Sequence, residues 1–195
     1  MKKDKNINEE IKITLAGGIV GKTSFLRRYI SDRFNDIEIQ TVGINNDKKI
    51  LKLYNGKNIK IKFSDIGGQE RYESMALSQV QISHGVIIMY SITNYSSFKK
   101  VLDWIKKIRD YKEDIPIIII GNMCDGEDNR EISKKEGEEL AQNYNYHFYE
   151  SSNKLGINIE EPIIDLVEQI LKKRYGDKDK NNYKIKIEKN DKEKK

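Results

Sequence analysis

The sequence predicts a single α/β domain built around a mostly parallel sheet, and two observations carry that prediction. Residues 85–91 and 115–121 are almost continuously apolar, which is typical of strands buried on both faces. The stretches that follow them, 96–110 and 133–143, have the pattern of helices. Buried strands that alternate with helices indicate a parallel sheet with helices on both faces.

The remaining elements follow from local patterns along the chain. Two stretches alternate with strand period on either side of Asn55-Gly56, a strong signal for an antiparallel hairpin. Ser133 and Glu136 have the spacing of a helix capping box. The predicted strands are 11–15, 49–53, 59–63, 85–91, 115–121 and 146–150, and the predicted helices are 22–31, 96–110, 133–143 and 159–174. The sequence therefore predicts a six-stranded sheet with one antiparallel edge hairpin.

Length and charge divide the chain into one domain and two tails. With 195 residues, we expect a domain at 10–175, an N-terminal tail at 1–9 and a basic tail at 176–195. The net charge of +5 belongs to the C-terminal end, because eleven Lys/Arg and only five Asp/Glu follow residue 171. Acidic residues interrupt that basic stretch, which favours a disordered, solvated tail over a nucleic-acid-binding one. Weak attraction to an acidic membrane surface is the other alternative.

Compartment is indicated by what the composition lacks. Cys124 is the single cysteine, so an intramolecular disulfide is impossible. The first residues contain no apolar segment typical of a secretion signal, and no run approaches the ~20 apolar residues of a membrane span. We therefore expect a cytoplasmic protein.

The first strand runs into a glycine-rich turn that opens a helix. Ala16 to Thr23 matches the phosphate-binding loop pattern, except that Ala16 replaces its first glycine. In such a loop the backbone N–H groups bind phosphates, Lys22 supplies a positive charge and the Thr23 hydroxyl ligates Mg²⁺. The alternative is an ordinary glycine-rich turn without a ligand.

Three further polar segments follow later strands. They are Asp65–Glu70, Asn122–Asp125 and Glu150–Lys154. In parallel sheets ligands bind at the carboxyl ends of strands, so these segments and the phosphate-binding loop are expected to form one site. Asp65 can contact a Mg²⁺-bound water there, and Gly68 is flexible enough to respond to a γ-phosphate.

Together these residues resemble the Ras superfamily of small GTPases over about Ile11 to Arg174. Residues 83–93, Ser97-Phe98 and Trp104-Ile105 are most similar to the Rab branch. The resemblance implies a monomeric switch that binds GTP and GDP with Mg²⁺ and hydrolyses GTP slowly when alone. It also implies that two switch loops bind effectors, exchange factors and GTPase-activating proteins, and the Rab similarity implies vesicle trafficking.

The resemblance assigns roles residue by residue. It implies catalytic roles for Lys22, Thr41 and Gln69, with Gln69 orienting the attacking water. It places magnesium at Thr23, Thr41 and Asp65. The residues implied to bind the nucleotide are Gly17, Gly18, Ile19, Val20, Gly21, Lys22, Thr23, Ser24, Phe34, Thr41, Gly68, Asn122, Met123, Asp125, Ser152, Asn153 and Lys154. Among them, Phe34 would stack on the guanine and Asp125 would pair with its N1–H and amino group.

Several departures from the family pattern bear on function. Met123 replaces a lysine that contacts the ribose and the phosphate-binding loop, and Ile66-Gly67 replaces Thr-Ala, which should loosen the second switch. Asn46, Ser64 and Gln79 stand where Rab proteins have aromatic residues that bind effectors.

The C-terminus lacks prenylatable cysteines, so no lipid anchor is expected and membrane contact would depend on partners. The missing anchor, Met123 and Ala16 favour an alternative function, a nucleotide-locked scaffold of the same fold that binds proteins without cycling. Lys22, Thr41 and Gln69 favour the GTPase.

Overall fold

The structure, a computed structural model, describes residues 7–35, 40–53, 56–176 and 185–186. The strands are β1 (Ile7–Ala16), β2 (Ile44–Leu53), β3 (Asn58–Ile66), β4 (Gly85–Ser91), β5 (Ile117–Asn122), β6 (His147–Ser151) and β7 (Ile185–Lys186). The helices are α1 (Lys22–Ser31), α2 (Glu73–Ile82), α3 (Tyr95–Tyr111), α4 (Lys134–Gln142) and α5 (Glu161–Tyr175). One-turn 3₁₀ helices lie at Glu70–Tyr72 and Glu127–Asn129.

The strands form one mixed sheet in the order β6-β5-β4-β1-β3-β2-β7. Strand β1 lies at its centre and pairs in parallel with β3 and β4, while β2 pairs antiparallel with β3. The hairpin prediction rested on Asn55, which lies outside the described residues, but the backbone N–H of Gly56 donates to Leu53 O at 3.0 Å beside it. The predicted fold class, with its six strands and one antiparallel hairpin, is confirmed.

A seventh strand was not predicted from the sequence. Ile185 and Lys186 pair antiparallel with Leu53 and Lys52 at the edge of β2. The Ile185 side chain is buried in the same core cluster as Leu51 and Leu53, which explains why these two residues join the sheet. Residues 177–184 and 187–195 lie outside the described part of the chain, so disorder there stays a prediction.

Two apolar layers cover the two faces of the sheet. Alternation along β4 sends Ile87 and Met89 into the layer under α1 and α5, and Val86 and Ile88 into the layer under α2, α3 and α4. This alternation is the reason why the predicted strands are apolar throughout. None of the helices in the described ranges combines the length and apolarity that crossing a membrane requires.

Helix α2 was missed by the sequence prediction. Its buried residues are Ala76, Leu77 and Val80, whereas Met75 and Ile82 are exposed. Apolar residues are thus spread around the helix, and the sequence lacks the one-sided pattern that marks an amphipathic helix. By contrast, the capping box at the start of α4 is confirmed, with Ser133 and Glu136 each bonding the other's backbone N–H.

Candidate functional site: a phosphate- and base-binding cleft at the strand ends

The phosphate-binding loop connects the end of β1 to the first residue of α1. Gly17 and Gly21 have positive φ angles of 126° and 81°, which turn the chain sharply between strand and helix. Lys22 is buried, and its Nζ donates to Gly17 O at 2.8 Å and to Gly18 O at 2.6 Å. An ammonium group beside the N-terminus of a ten-residue helix makes this loop suited to an anion.

Three hard oxygen donors meet next to that ammonium group. The Thr23 hydroxyl donates to Asp65 Oδ2 at 2.5 Å and is hydrogen-bonded to the Thr41 hydroxyl at 2.6 Å. Burial raises the pKa of Asp65, although the Thr23 hydrogen bond and the charge of Lys22 oppose that rise. Among the described residues, Asp65 Oδ1 is buried and has no hydrogen-bond partner. The donor set fits Mg²⁺, which binds proteins through one or two carboxylates and other oxygens.

The segments predicted to bind the base, called the base side below, lie at the ends of β5 and β6. Asn122 Nδ2 donates to Val20 O at 2.9 Å, and Asn122 Oδ1 accepts from the Ser151 hydroxyl at 3.0 Å. The Ser152 hydroxyl donates to Asp125 Oδ1 at 2.5 Å and so orients that carboxylate. These bonds join the base-binding segments to each other and to the phosphate-binding loop.

Met123 replaces a lysine that contacts the phosphate-binding loop in the family, but here its side chain is hydrogen-bonded to Ser91 of β4. Its φ of 67° lies in the left-handed region, and its Sδ accepts from the Ser91 hydroxyl at 3.3 Å. Ser91 is buried at the end of β4 and is also hydrogen-bonded to Thr93 Oγ1 at 2.8 Å. The Ser91 hydroxyl therefore fixes the thioether at the end of β4. The sequence analysis did not identify this hydroxyl or its partner Thr93.

The two switch segments contact each other and the phosphate-binding loop through backbone. The Gly67 N–H donates to Gly43 O at 3.0 Å, and the Gly67 Cα lies against Thr41 O and the Tyr72 ring. Gly68 lies so close to the Gly18 backbone that a side chain there would overlap it. Between these segments and α1 is a cavity of about 150 Å³, lined by residues that include Lys22, Thr23 and Thr41.

Gln69, the predicted catalytic residue, lies at the rim of that cavity. Its Nε2 donates to Gln40 Oε1 at 2.8 Å, so the side chain joins the two switch segments. A second cavity of about 290 Å³ lies between this segment and α3. Two ion pairs at 2.6 Å, Lys100–Glu70 and Lys107–Glu73, connect α3 to this switch segment.

The three residues that replace the Rab aromatic positions lie side by side. The Ser64 hydroxyl is within 3.4 Å of Asn46 Oδ1 and 3.3 Å of Gln79 Oε1. This surface between β2, β3 and α2 is therefore uncharged and polar. A partner that presents an apolar side chain would bury these groups without replacing their hydrogen bonds.

Most of the predicted site residues converge on one edge of the sheet. Phe34, half-buried after α1, and Lys154, exposed after β6, keep their nucleotide roles as predictions only. Sequence analysis missed Ser91, Ser151, Gln40 and Tyr72, which act on predicted site residues by hydrogen bonding or packing. Only Ser151 had a signal, because it stands within the polar segment Glu150–Lys154 that the sequence analysis named.

His84 precedes β4 and has a structural role, because it connects this strand to β1. Its Nδ1 accepts from the backbone N–H of Lys12 at 2.9 Å. Burial, with neighbouring cations, lowers the pKa of His84 to about 4. The ring is therefore neutral at physiological pH and can keep accepting that hydrogen bond.

Comparison with known proteins agrees with this geometry. The Ras family pattern matches residues 12–172. Human Ras-related protein Rab-3A is 40% identical over 173 residues, which cover 87% of this chain and 78% of that protein. Ras-related protein Rab-10 of Diplobatis ommata is 39% identical over 155 residues, covering 79% and 77%. The chain belongs to the Ras family of small GTPases.

Proposed function

We propose that this GTPase is a guanine-nucleotide switch that binds GTP and GDP with Mg²⁺ and hydrolyses GTP slowly when alone. The hydrogen-bonded group of Thr23, Thr41 and Asp65 beside the Lys22 ammonium is the observation that carries the proposal. It joins the phosphate-binding loop to both switch segments, so an ion or phosphate bound there would act on all three.

The proposed chemistry needs positioning and charge neutralisation rather than a covalent nucleophile. A bound Mg²⁺ would neutralise phosphate charge and be held by Thr23 and Thr41, with Asp65 contacting its water. Lys22 exchanges its bonds to the loop carbonyls for the β- and γ-phosphates. Gln69 leaves Gln40 and orients the attacking water with its carboxamide oxygen. Because Gln69 must move, turnover without a partner is slow.

Switching follows from the contacts that the γ-phosphate would change. Gly68 lies directly on Gly18, and Thr41 contacts both Thr23 and Gly67. A γ-phosphate beside Lys22 separates Gly68 from Gly18 and gives the Gly68 N–H a new acceptor. The surface formed by both switch segments then differs between the GTP and GDP states. Effectors, exchange factors and GTPase-activating proteins bind according to that difference.

The cellular role is proposed by similarity to the Rab relatives. We infer a monomeric protein in vesicle trafficking or related signalling, which acts in the cytoplasm and at membranes through its partners. The polar Asn46–Ser64–Gln79 surface supports effectors that form hydrogen bonds there. A nucleic-acid partner is not proposed, because the body of the domain carries no excess of basic residues.

A nucleotide-locked scaffold is the second candidate. The observation that favours it is the contact of Gly68 with Gly18, because this contact closes the switch over the phosphate-binding loop. A scaffold of this kind would keep the partner-binding surface in one form. It would release no nucleotide on a biological timescale, or would contain none.

The deciding experiment is to denature the purified protein and identify the released nucleotide by chromatography. We expect close to one guanine nucleotide per chain, exchangeable for added GTP when Mg²⁺ is chelated. An adenine nucleotide would overturn the base assignment, whereas absent or non-exchangeable nucleotide would favour the scaffold. Lys22→Ala should lose the nucleotide, and the matched control Lys106→Ala, exposed on α3, should retain it.

A further inference from the structure

Apart from Ser152, Asn153 is the least exposed residue of the segment that follows β6 and precedes α5. Its side chain is 5% exposed, and its Nδ2 donates to Gly21 O at 3.0 Å. A carbonyl only accepts hydrogen bonds, so the NH₂ group must face Gly21. The carboxamide oxygen therefore points elsewhere in a buried environment.

The carbonyl that Asn153 holds is at a sensitive place in the phosphate-binding loop. Gly21 immediately precedes Lys22, has a left-handed φ of 81°, and its carbonyl also accepts the first helical bond of α1, from Phe25 N at 2.9 Å. Fixing this carbonyl fixes the start of α1. It thereby fixes the direction in which Lys22 and Thr23 leave the loop.

Two carboxamides from two different strand ends thus hold consecutive carbonyls of one loop. Asn122 binds Val20 O and Asn153 binds Gly21 O. Met123 offers no donor to the loop, because a thioether only accepts and its sulfur is bound by Ser91. Asn153 therefore supplies a connection between the base side and the phosphate side that Met123 does not.

The two carboxamides differ in their oxygens. Asn122 Oδ1 accepts from Ser151, whereas Asn153 Oδ1 is buried and has no hydrogen-bond partner among the described residues. The other unpartnered carboxyl-type oxygen is Asp65 Oδ1, at the opposite end of the same cleft. A buried acceptor without a partner is costly and rare, and at a ligand site it indicates a donor that the ligand brings.

We propose that Asn153 is a positioning residue for the nucleoside: Nδ2 fixes the phosphate-binding loop, and Oδ1 accepts a hydrogen bond from an N–H or O–H donor of the bound guanine nucleoside. The inference rests on the proposed function for its ligand, but the contact with Gly21 exists in the protein alone.

The first test measures GDP release from Asn153→Ala, using fluorescent GDP displaced by excess unlabelled GDP. Loss of the Nδ2 bond and of the acceptor should accelerate release about two- to tenfold. Asn158→Ala is the matched control, because Asn158 Nδ2 donates to a backbone carbonyl, that of Glu150, at 2.7 Å in the same segment, away from the phosphate-binding loop. The control should lower Tm without accelerating release, and equal acceleration in both variants would overturn the proposal.

The second test identifies the donor by pairing the variant with altered ligands. Inosine diphosphate lacks the exocyclic amine and 2′-deoxy-GDP lacks one ribose hydroxyl. If Oδ1 accepts from one of these groups, the wild-type protein should bind the analogue that lacks this group more weakly than GDP. This penalty in affinity should shrink at least twofold in Asn153→Ala. Unchanged penalties for both analogues, and for 3′-deoxy-GDP, which lacks the other ribose hydroxyl, would overturn the acceptor role, because the guanine N1–H is assigned to Asp125. Asn153→Asp, which keeps an oxygen and loses the donor to Gly21, should retain the analogue penalty while still releasing GDP faster.

A third measurement needs no ligand and separates this inference from the proposed function. Hydrogen exchange of the Phe25 amide in the nucleotide-free protein should be at least twofold faster in Asn153→Ala than in Asn158→Ala. If the protein binds no guanine nucleotide, the proposed function fails, and this exchange result still decides whether Asn153 fixes the loop. Equal exchange in the two variants overturns that part.

Discussion

The base side and the switch side of the cleft are held by different kinds of contact. On the base side, buried side chains at the ends of β5 and β6, such as Asn122 and Asn153, hydrogen-bond to the phosphate-binding loop. On the switch side, backbone contacts at Gly67 and Gly68 are joined by the Gln69–Gln40 bond and by two ion pairs between mostly exposed side chains. Buried hydrogen bonds resist opening, while exposed ion pairs contribute little.

This difference assigns a mechanical role to each half of the molecule. The base-side segments directly follow the parallel strands β5 and β6, so they move only if these strands move. The switch side consists of loops and the one-turn helix at Glu70–Tyr72, and these can rearrange at small cost. A switch needs this combination, because recognition of the base must persist while the γ-phosphate changes.

The largest effect is expected on base recognition, from a change that leaves the surrounding fold intact. Asp125→Asn replaces an acceptor pair with a group that mismatches guanine and matches xanthine. The ratio of GDP to xanthosine diphosphate affinity should fall by about 10⁴-fold, because a bound base of the wrong kind would cover this side chain and leave a polar group unpaired. Asparagine keeps an oxygen for the Ser152 hydroxyl, so Tm should change little.

A competition assay with both nucleotides measures this change. Asp128→Asn, an exposed neighbour in the 3₁₀ helix, is the control and should keep the wild-type preference. Comparable GTP and ATP affinities in the wild-type protein would contradict the base assignment altogether.

The next effect concerns the switch side and hydrolysis alone. Gln69→Leu removes the carboxamide that orients water, and intrinsic GTP hydrolysis should slow by about 10²-fold, the typical consequence of lost positioning. GDP affinity should stay within about twofold of wild type, since Asn122 and Asn153 are untouched. Single-turnover phosphate release measures the rate. Gln81→Leu, exposed on α2, is the control and should hydrolyse GTP at the normal rate. A normal rate in Gln69→Leu would mean that another residue orients the water.

The two sides also differed in how far the sequence predicted them. The base side was predictable because Asn122, Asp125 and Ser152 follow apolar strands whose carboxyl ends must meet. The hydrogen-bond partners of the base side were less predictable. Ser91, for example, could be recognised only from the structure, in which β4 brings its hydroxyl to the Met123 sulfur. Local pattern predicts which segments converge, but the contacts between them depend on register and rotamers.

On the switch side, local reasoning was less informative. Consecutive glycines at 67 and 68 suggested a loosened segment, whereas a side chain at 67 would overlap Thr41 and one at 68 would overlap the phosphate-binding loop. Helix α2 was missed because exposed Met75 and Ile82 hide the buried face of Ala76, Leu77 and Val80 in the sequence pattern. Both features depend on tertiary packing, which composition and periodicity do not record. Strand β7 is a third case, since burial of Ile185 against a distant edge has no local signal.

Gly67→Ala tests how tightly Gly67 packs against Thr41 and Tyr72 on the switch side. A Cβ at this position would lie 2.5 Å from both Thr41 O and Tyr72 Cδ2, too close for either to stay in place. We expect a loss of about 1–3 kcal/mol in the free energy of unfolding, as for other overpacked sites. Urea denaturation of the nucleotide-free protein measures it.

Two further variants locate the origin of that loss. Gly18→Ala is the control, because a Cβ there would have only Gly68 O nearby, at 4.0 Å. Adding Tyr72→Ala to Gly67→Ala should cost less than the sum of the single changes, since the ring is one of the two obstacles. Simple additivity would show that Tyr72 does not contact Gly67 in solution.

The smallest expected effect separates the two sides by salt. Lys100–Glu70 and Lys107–Glu73 connect the switch segment to α3, and exposed pairs of this kind contribute about 0.2–1 kcal/mol each. Raising salt from about 0.05 to 0.5 M shortens the Debye length and weakens them. Hydrogen exchange across residues 70–82 should therefore accelerate about twofold, while exchange at 122–125 and 151–155 stays constant because buried and part-buried hydrogen bonds hold those segments. Lys107→Gln should reproduce part of the acceleration at low salt, and Lys106→Gln, exposed on the same helix, should not. Equal salt sensitivity on both sides would mean that the switch segment is held by its backbone contacts at Gly67 and Gly68, and that the ion pairs do not contribute.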